Sequence, residues 1–256
     1  MIKIEVEFFR EADSIYRKLS ILSFPSAEIK EFYVYREFSV SLPNYFFPQI
    51  RMFYQGYLES RDLSRFIADV AECYTQGTLE RLASCHLVSV RRAAILALTS
   101  LGDFRANRVL AEALRDEDSV VAVLAETGIK TIWQRDFSRK DQASLQQIAQ
   151  AVQTGNTTEA ISLASEQIFL TPGFAEVWYL RGNAWLLRGN YFQAAADYQR
   201  VLELNPYHFQ AATKLGTAQE RLGEVSRARE AFRRSLRINP GLKQSRKQLK
   251  QLAKAK

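Results

Sequence analysis

The chain is poor in the residues that most often do chemistry. Of its 256 residues only two are histidine and two are cysteine. Histidine is the usual acid–base group and metal ligand, so His86 and His208 leave little material for either role. Cys85-His86 forms a single pair with no second pair at zinc-site spacing, and His208 falls in a turn, where a partly exposed side chain is expected. Cys73 and Cys85 do not make a disulfide framework and are expected to be reduced, buried and inert. The sequence contains no Gly-x-x-x-x-Gly-Lys-Ser/Thr loop, no Gly-x-Gly-x-x-Gly turn, no Gly-x-Ser-x-Gly elbow and no His-Glu-x-x-His helix. The expectation is a protein that is not an enzyme, with no cofactor and no metal. No run approaches the roughly 18 apolar residues of a membrane helix, and Glu5 and Glu7 interrupt the apolar N-terminus, so neither a membrane span nor an export signal is expected. A cytoplasmic location follows as the simplest expectation.

Charge is present but unevenly placed. The net charge is +7, yet Arg227 to Lys256 holds eleven Lys or Arg against the single acid Glu230. That segment is +10, which leaves about −3 for residues 1–226. Arg227, Arg233, Arg234, Arg237, Lys243, Arg246, Lys247 and Lys250 form the candidate basic surface. Such a surface suits an acidic partner or nucleic acid, with steep salt dependence, or it is a solvated cap. The segment lacks aromatic residues interleaved for base stacking, since Phe232 falls at a core position.

What is abundant is repetition. Asn205-Pro206 and Asn239-Pro240 lie 34 residues apart, and Gly182/Gly216, Gly189/Gly223, Ala194/Ala228 and Tyr198/Phe232 keep the same interval. Within 175–208, the i, i+4, i+7 spacing of Trp178, Gly182 and Trp185 places them on one helical face, with glycine where a second helix must come close. Gly189-Asn190 breaks the helix, Ala194 and Tyr198 share a face of the next, and Asn205-Pro206 ends the unit. Residues 209–242 repeat this with Ala212, Leu215, Gly216, Gly223, Ala228, Phe232, Leu236 and Asn239-Pro240. Residues 141–174 keep Gly155, Ala160 and Pro172 and read as a degenerate first unit. Leu242, Leu249 and Leu252 predict a final helix, 243–256, covering the end of the stack.

These residues resemble the tetratricopeptide repeat, with Arg181, Ala212 and Gln219 departing from its Leu, Trp and Tyr positions. The resemblance implies stacked helical hairpins whose first helices line a concave face that holds another protein or peptide segment. On that basis the candidate groove is Glu176, Tyr179, Asn183, Leu186, Gln210, Thr213, Lys214, Thr217 and Glu220. An asparagine such as Asn183 can bond both the carbonyl and the amide of a peptide. The chaperone-tail clamp of one subfamily is not matched: Leu145, Ala149 and Leu180 occupy its positions and only Lys214 suits.

Upstream, Leu63, Phe66, Ile67, Val70 and Tyr74 have helical spacing. Leu79, Val90, Ala94, Leu98 and Leu101 are echoed 31 residues later by Leu110, Val121, Ala125, Ile129 and Ile132. The string from Val90-Arg91 to Leu101-Gly102-Asp103 resembles a HEAT-type helical repeat, with Gly128 inside the second copy as a departure. Arg115-Asp116-Glu117-Asp118 falls at an inter-helix turn, where Asp118 or Ser119 would cap the next helix. Asp136 to Gln142 is the polar junction. Residues 1–57 hold 14 of the 27 Phe and Tyr; alternation at Ile2–Phe8 and Phe32–Phe38 suggests short strands around a helix at Glu11–Leu22. They read as a cap closing the helical stack or as an aromatic docking surface.

The expected fold is therefore mainly α: a right-handed α-solenoid, HEAT-like over 58–138 and tetratricopeptide-like over 139–256, with an aromatic N-terminal segment at 1–57. The expected function is a non-catalytic scaffold, adaptor or assembly factor. A binder of nucleic acid or acidic surfaces, or a subunit of an enzyme complex without catalytic residues of its own, are the alternatives.

Overall fold

A computed structural model of the chain describes residues 48–135 and 138–254. Among these residues there are thirteen α-helices, one 3-10 turn and no strand. The expected strands at Ile2–Phe8 and Phe32–Phe38, and the helix at Glu11–Leu22, lie outside the described residues.

The first six helices are α1 (Ile50–Ser60), α2 (Leu63–Cys73), α3 (Gln76–Leu82), α4 (Val88–Leu101), α5 (Asn107–Ala113) and α6 (Ser119–Arg135). Helix α1 crosses position 57, where the sequence placed the end of an N-terminal cap, and its Ile50 and Tyr54 are buried in the same core as Phe66 and Val70 of α2. Helices α3 and α4 form one hairpin and α5 and α6 the next, which is the 31-residue echo in space.

Small residues let α4 and α6 approach. A Cβ on Gly128 would fall 2.3 Å from Thr99 Oγ1, so the glycine that weakened the second copy of the pattern is what the packing requires. Charges lock the hairpins. Buried Arg91 donates to both carboxylate oxygens of Asp116 at 2.8 and 2.9 Å, and Arg92 holds Asp118 in the same bidentate way at 2.9 and 2.7 Å. Asp118 also accepts from Val121 N–H at 2.9 Å, capping α6 as its position in the turn predicts. The Arg92 hydrogen bonds hold the Asp118 carboxyl at about 2, well below the ordinary carboxylate value.

The remaining helices are α7 (Arg139–Gln153), α8 (Thr157–Leu170), α9 (Ala175–Leu187), α10 (Tyr191–Leu204), α11 (Phe209–Arg221), α12 (Val225–Ile238) and α13 (Lys243–Lys254). Each packs on the next in chain order, and α7, α9 and α11 also neighbour one another. The first helices of three hairpins thus form one layer and the second helices another. Gly155, Gly189 and Gly223 end the first helices with φ of +76, +83 and +78, a conformation only glycine adopts cheaply. Asn156 and Asn190 then cap α8 and α10 by accepting from Glu159 and Gln193 N–H.

The hairpins interlock through an aromatic ring seated on a glycine. A Cβ on Gly182 would lie 2.8 Å from the Tyr198 ring, and one on Gly216 would lie 2.8 Å from the Phe232 ring. Both rings are fully buried. Arg181, at the position where leucine was expected, is explained by Asp197: the two form a bidentate pair at 2.9 and 2.8 Å, and the guanidinium lies 4.8 Å from the centre of the Trp178 ring.

The two regions are joined along the turns between repeats. Trp133 near the end of α6 stacks on His208 with ring centres 4.1 Å apart, and Phe209 lies 5.6 Å from the same ring. Trp133 Nε1–H donates to Asn107 Oδ1 at 2.9 Å, and Asn107 Nδ2 donates to Asn205 Oδ1 at 2.8 Å. Two turns further up α6, Glu126 meets Asn239 Nδ2 at 3.5 Å. Seven residues of helix rise about 10 Å, close to the spacing of packed helices, so α6 reaches two successive repeat turns, Trp133 at His208 and Glu126 at Asn239, while Asn205 is held by Asn107 of α5. These asparagines read as unit terminators in the sequence; in the structure they are also docking points. Cys73, by contrast, is exposed and Cys85 half-buried, and neither is in a disulfide among the described residues, so the expectation that both are buried fails.

Candidate functional site

The inner layer is made by α7, α9 and α11, and the candidate groove residues, carried by α9 and α11, divide into two groups on it. Glu176 and Thr213 are buried, each with a structural partner. Glu176 Oε1 lies 2.9 Å from His208 Nε2, and Thr213 donates to the Phe209 carbonyl and bonds Ser245 Oγ at 3.0 Å. They are held inside the fold and are not open to an incoming segment, which corrects their assignment to the groove. Tyr179, Asn183, Leu186, Gln210, Lys214, Thr217 and Glu220 are half-buried on the same two helices.

His208 was expected to be a partly exposed turn residue. It is completely buried instead. Its Nδ1 accepts from Ala211 N–H at 3.1 Å, capping α11. With Nδ1 an acceptor, the neutral ring carries its proton on Nε2 and donates to Glu176, which fixes the tautomer. Tyr179 packs 4.8 Å from the same imidazole and 6.0 Å from the Tyr198 ring. Burial pushes the Tyr179 phenol up to about 12, and it raises that of Tyr198 further, so both stay neutral over the physiological range. No sequence pattern marks His208 as buried, because its neighbours Trp133 and Glu176 are 75 and 32 residues away.

Asn183 sits at the middle of this surface. Its Oδ1 accepts from the Tyr198 hydroxyl at 2.8 Å. The ring that fills the Gly182 socket therefore also orients the asparagine amide. Asn183 also hydrogen-bonds the Tyr179 side chain, so two phenols hold its amide. Lys214 and Glu220 supply one charge of each sign on the adjacent helix, and Leu186 an apolar contact. The arrangement suits a peptide: donors and acceptors for the backbone, with a small number of side-chain contacts.

The basic residues lie elsewhere. Arg227, Arg233, Arg237, Lys243, Arg246, Lys247 and Lys250 are exposed and Arg234 is half-buried. Arg227 is paired with Glu224 at 3.0 Å, and Arg246 donates to the Pro240 carbonyl at 2.7 Å. Lys243, Arg246, Lys247 and Lys250 line an open depression on α13 of about 450 Å³. Among the described residues no three His, Cys, Asp or Glu side chains gather as a metal site, and no helix is long and apolar enough to cross a membrane.

Comparison with known proteins bears on the second region. The family model described as tetratricopeptide repeat matches residues 147–208 and 188–243. A TPR repeat-containing protein of Rhizobium etli is 27% identical over 139 residues, covering 54% of this chain and 67% of that protein. Tetratricopeptide repeat protein 33 of Mus musculus is 31% identical over 107 residues, 42% of this chain and 39% of the mouse protein's length. Among solved structures, the first TPR of Spaghetti (RPAP3) bound to an HSP90 peptide is 19% identical, covers 46% of this chain and 94% of that one, and superposes with a TM-score of 0.45.

Proposed function

With residues 147–243 identified as tetratricopeptide repeats, we propose that the protein is a non-catalytic interaction scaffold that holds an extended segment of a partner protein across α9 and α11. The observation that carries this reading is the Asn183 amide. It is half-buried, fixed by the Tyr198 hydroxyl and hydrogen-bonded to Tyr179, on the helix that carries Leu186 and next to the helix that carries Lys214. A side chain fixed in this way loses little conformational entropy when a peptide docks, which favours binding through preorganisation.

The clamp along the repeat turns supports the same role. Stacked repeats contact only their neighbours and are free to flex along the array. Here α6 reaches two successive turns, through Trp133 on His208 and Glu126 on Asn239, and Asn107 of α5 holds Asn205, which favours an inner face whose curvature is set before any partner arrives. Glu176 and Thr213 are part of that framework, and the partner contacts fall to the seven half-buried residues. The likeness to a repeat domain whose structure holds an HSP90 peptide is a likeness of fold, and the partner of this chain is left as a protein segment of unspecified sequence.

Asn183→Ala tests the reading. It removes the amide and leaves the helix intact, so partner affinity should fall about tenfold while helicity is unchanged. Full affinity in this variant contradicts the assignment of the inner face.

A further inference from the structure

The second helices form the opposite face of the array, and a cleft of about 560 Å³ opens there between α10 and α12. Its floor is Leu202, Leu215 and Ala231, and Gln219, Arg234 and Arg237 surround it. One residue of its lining departs from the repeat pattern. Gln219 stands 34 residues after Trp185, at the repeat position where tyrosine is usual, and a large ring there would occupy the space. In place of a ring there is an amide, only 5% exposed, whose Oε1 has no hydrogen-bond partner. A buried acceptor without a donor costs about 1–3 kcal/mol, so it is a feature that requires an explanation.

The arginines show the same incompleteness. Arg234 is half-buried and donates to the Leu202 carbonyl at 3.3 Å, and among the described residues no carboxylate pairs with it. Burial and the neighbouring Arg237 charge both lower its pKa, meaning that both press against the cation. The other charges around the cleft are largely spoken for: Glu203 pairs with Arg200 at 2.7 Å and Arg227 with Glu224 at 3.0 Å. Glu230 forms no ion pair among the described residues and stands on the rim against the two cations Arg234 and Arg237.

We propose that this cleft is a second docking site, separate from the inner face, for an acidic peptide segment: an Asp or Glu carboxylate between Arg234 and Arg237, with a neighbouring backbone amide on Gln219. The missing partners define the ligand. The guanidiniums lack an anion, and the buried amide lacks a donor; a peptide bond next to a carboxylate supplies both at once. If the Gln219 amide turns over, the peptide carbonyl accepts in place of the N–H, so the match holds in either orientation. Nucleic acid fits less well, since phosphate diesters carry no donor for the amide and no aromatic ring lines the cleft to stack on a base.

The experiment uses the full chain and a fluorescein-labelled peptide of alternating aspartate and glycine, read by fluorescence anisotropy. Saturable binding is expected, weakened tenfold or more by Arg234→Gln and abolished by Gln219→Tyr, which fills the cleft with the ring usual at that position. Asn183→Ala should leave this binding unchanged, which separates the site from the inner face. Four results overturn the proposal: no saturable binding, retention by Gln219→Tyr, an equal loss on Lys243→Gln, or displacement by inorganic phosphate at concentrations where unlabelled peptide does not compete. Should Gln219→Tyr fail to fold, exposed Arg237→Gln decides: undiminished binding then refutes the site.

Discussion

The two helical regions solve the same packing problem by different physics. In the repeat array, each hairpin is closed by an aromatic ring on a glycine: Tyr198 on Gly182, Phe232 on Gly216. In the preceding layer, one hairpin is tied to the next by guanidinium–carboxylate pairs, Arg91–Asp116 and Arg92–Asp118, with side chains of Arg91 and Asp116 only 9% and 11% exposed. Packing of rings is indifferent to pH and salt. A partly buried ion pair is not, and it is costly to break from one side. The array should therefore be the robust half, and the layer that clamps it the sensitive one.

Four substitutions break or sharpen that contrast. The largest effect belongs to Arg91→Leu, which strands the Asp116 carboxylate and should destabilise the first region by about 3–5 kcal/mol in denaturant unfolding. Gly182→Leu attacks the array instead. Its side chain collides with the Tyr198 ring, and a loss of about 3 kcal/mol is expected, independent of salt. If Arg91→Leu and Gly182→Leu respond to salt alike, the contrast is wrong.

Asn107→Leu is aimed at the junction. It leaves the Trp133 indole N–H and Asn205 Oδ1 without their shared partner, at about 1–3 kcal/mol, and should resolve one unfolding transition into two. The smallest effect is that of pH on Asp118. Its carboxyl is lowered to about 2 in the fold, so the stabilisation it gives is complete above the unfolded value of about 4 and is lost as pH falls from there towards 2. Asp118→Asn should cost about 1 kcal/mol at neutral pH and flatten the acid limb of the stability curve between those values. An unchanged acid limb would show that the Arg92 pair contributes nothing.

The same contrast explains what the sequence made legible. Rings, glycines and Asn-Pro pairs recur at a fixed interval, so the hairpins, their breaks at Gly155, Gly189 and Gly223, and the Asp118 cap were readable from spacing alone. Gly128 looked like a flaw because its reason, Thr99 on another helix, is not periodic. Burial of His208, and the removal of Glu176 and Thr213 from the groove, depend on Trp133 and Ser245, partners that no local pattern connects. Asn183 was legible as a groove residue through the repeat resemblance, but its orientation by Tyr198 required the fold. Gln219 was visible only as a departure from the pattern; the cleft it lines became apparent in three dimensions.

The central claim is that a partner segment lies on the layer formed by α9 and α11. Placing a photo-reactive side chain at Lys214, on that layer, and in a separate protein at Phe192, exposed on α10, tests it directly. Irradiation in the native cell should give a defined partner adduct from position 214 that disappears when Asn183→Ala is added, and none of that adduct from position 192. An adduct that forms from 192 and not from 214, or one that persists without Asn183, contradicts the account.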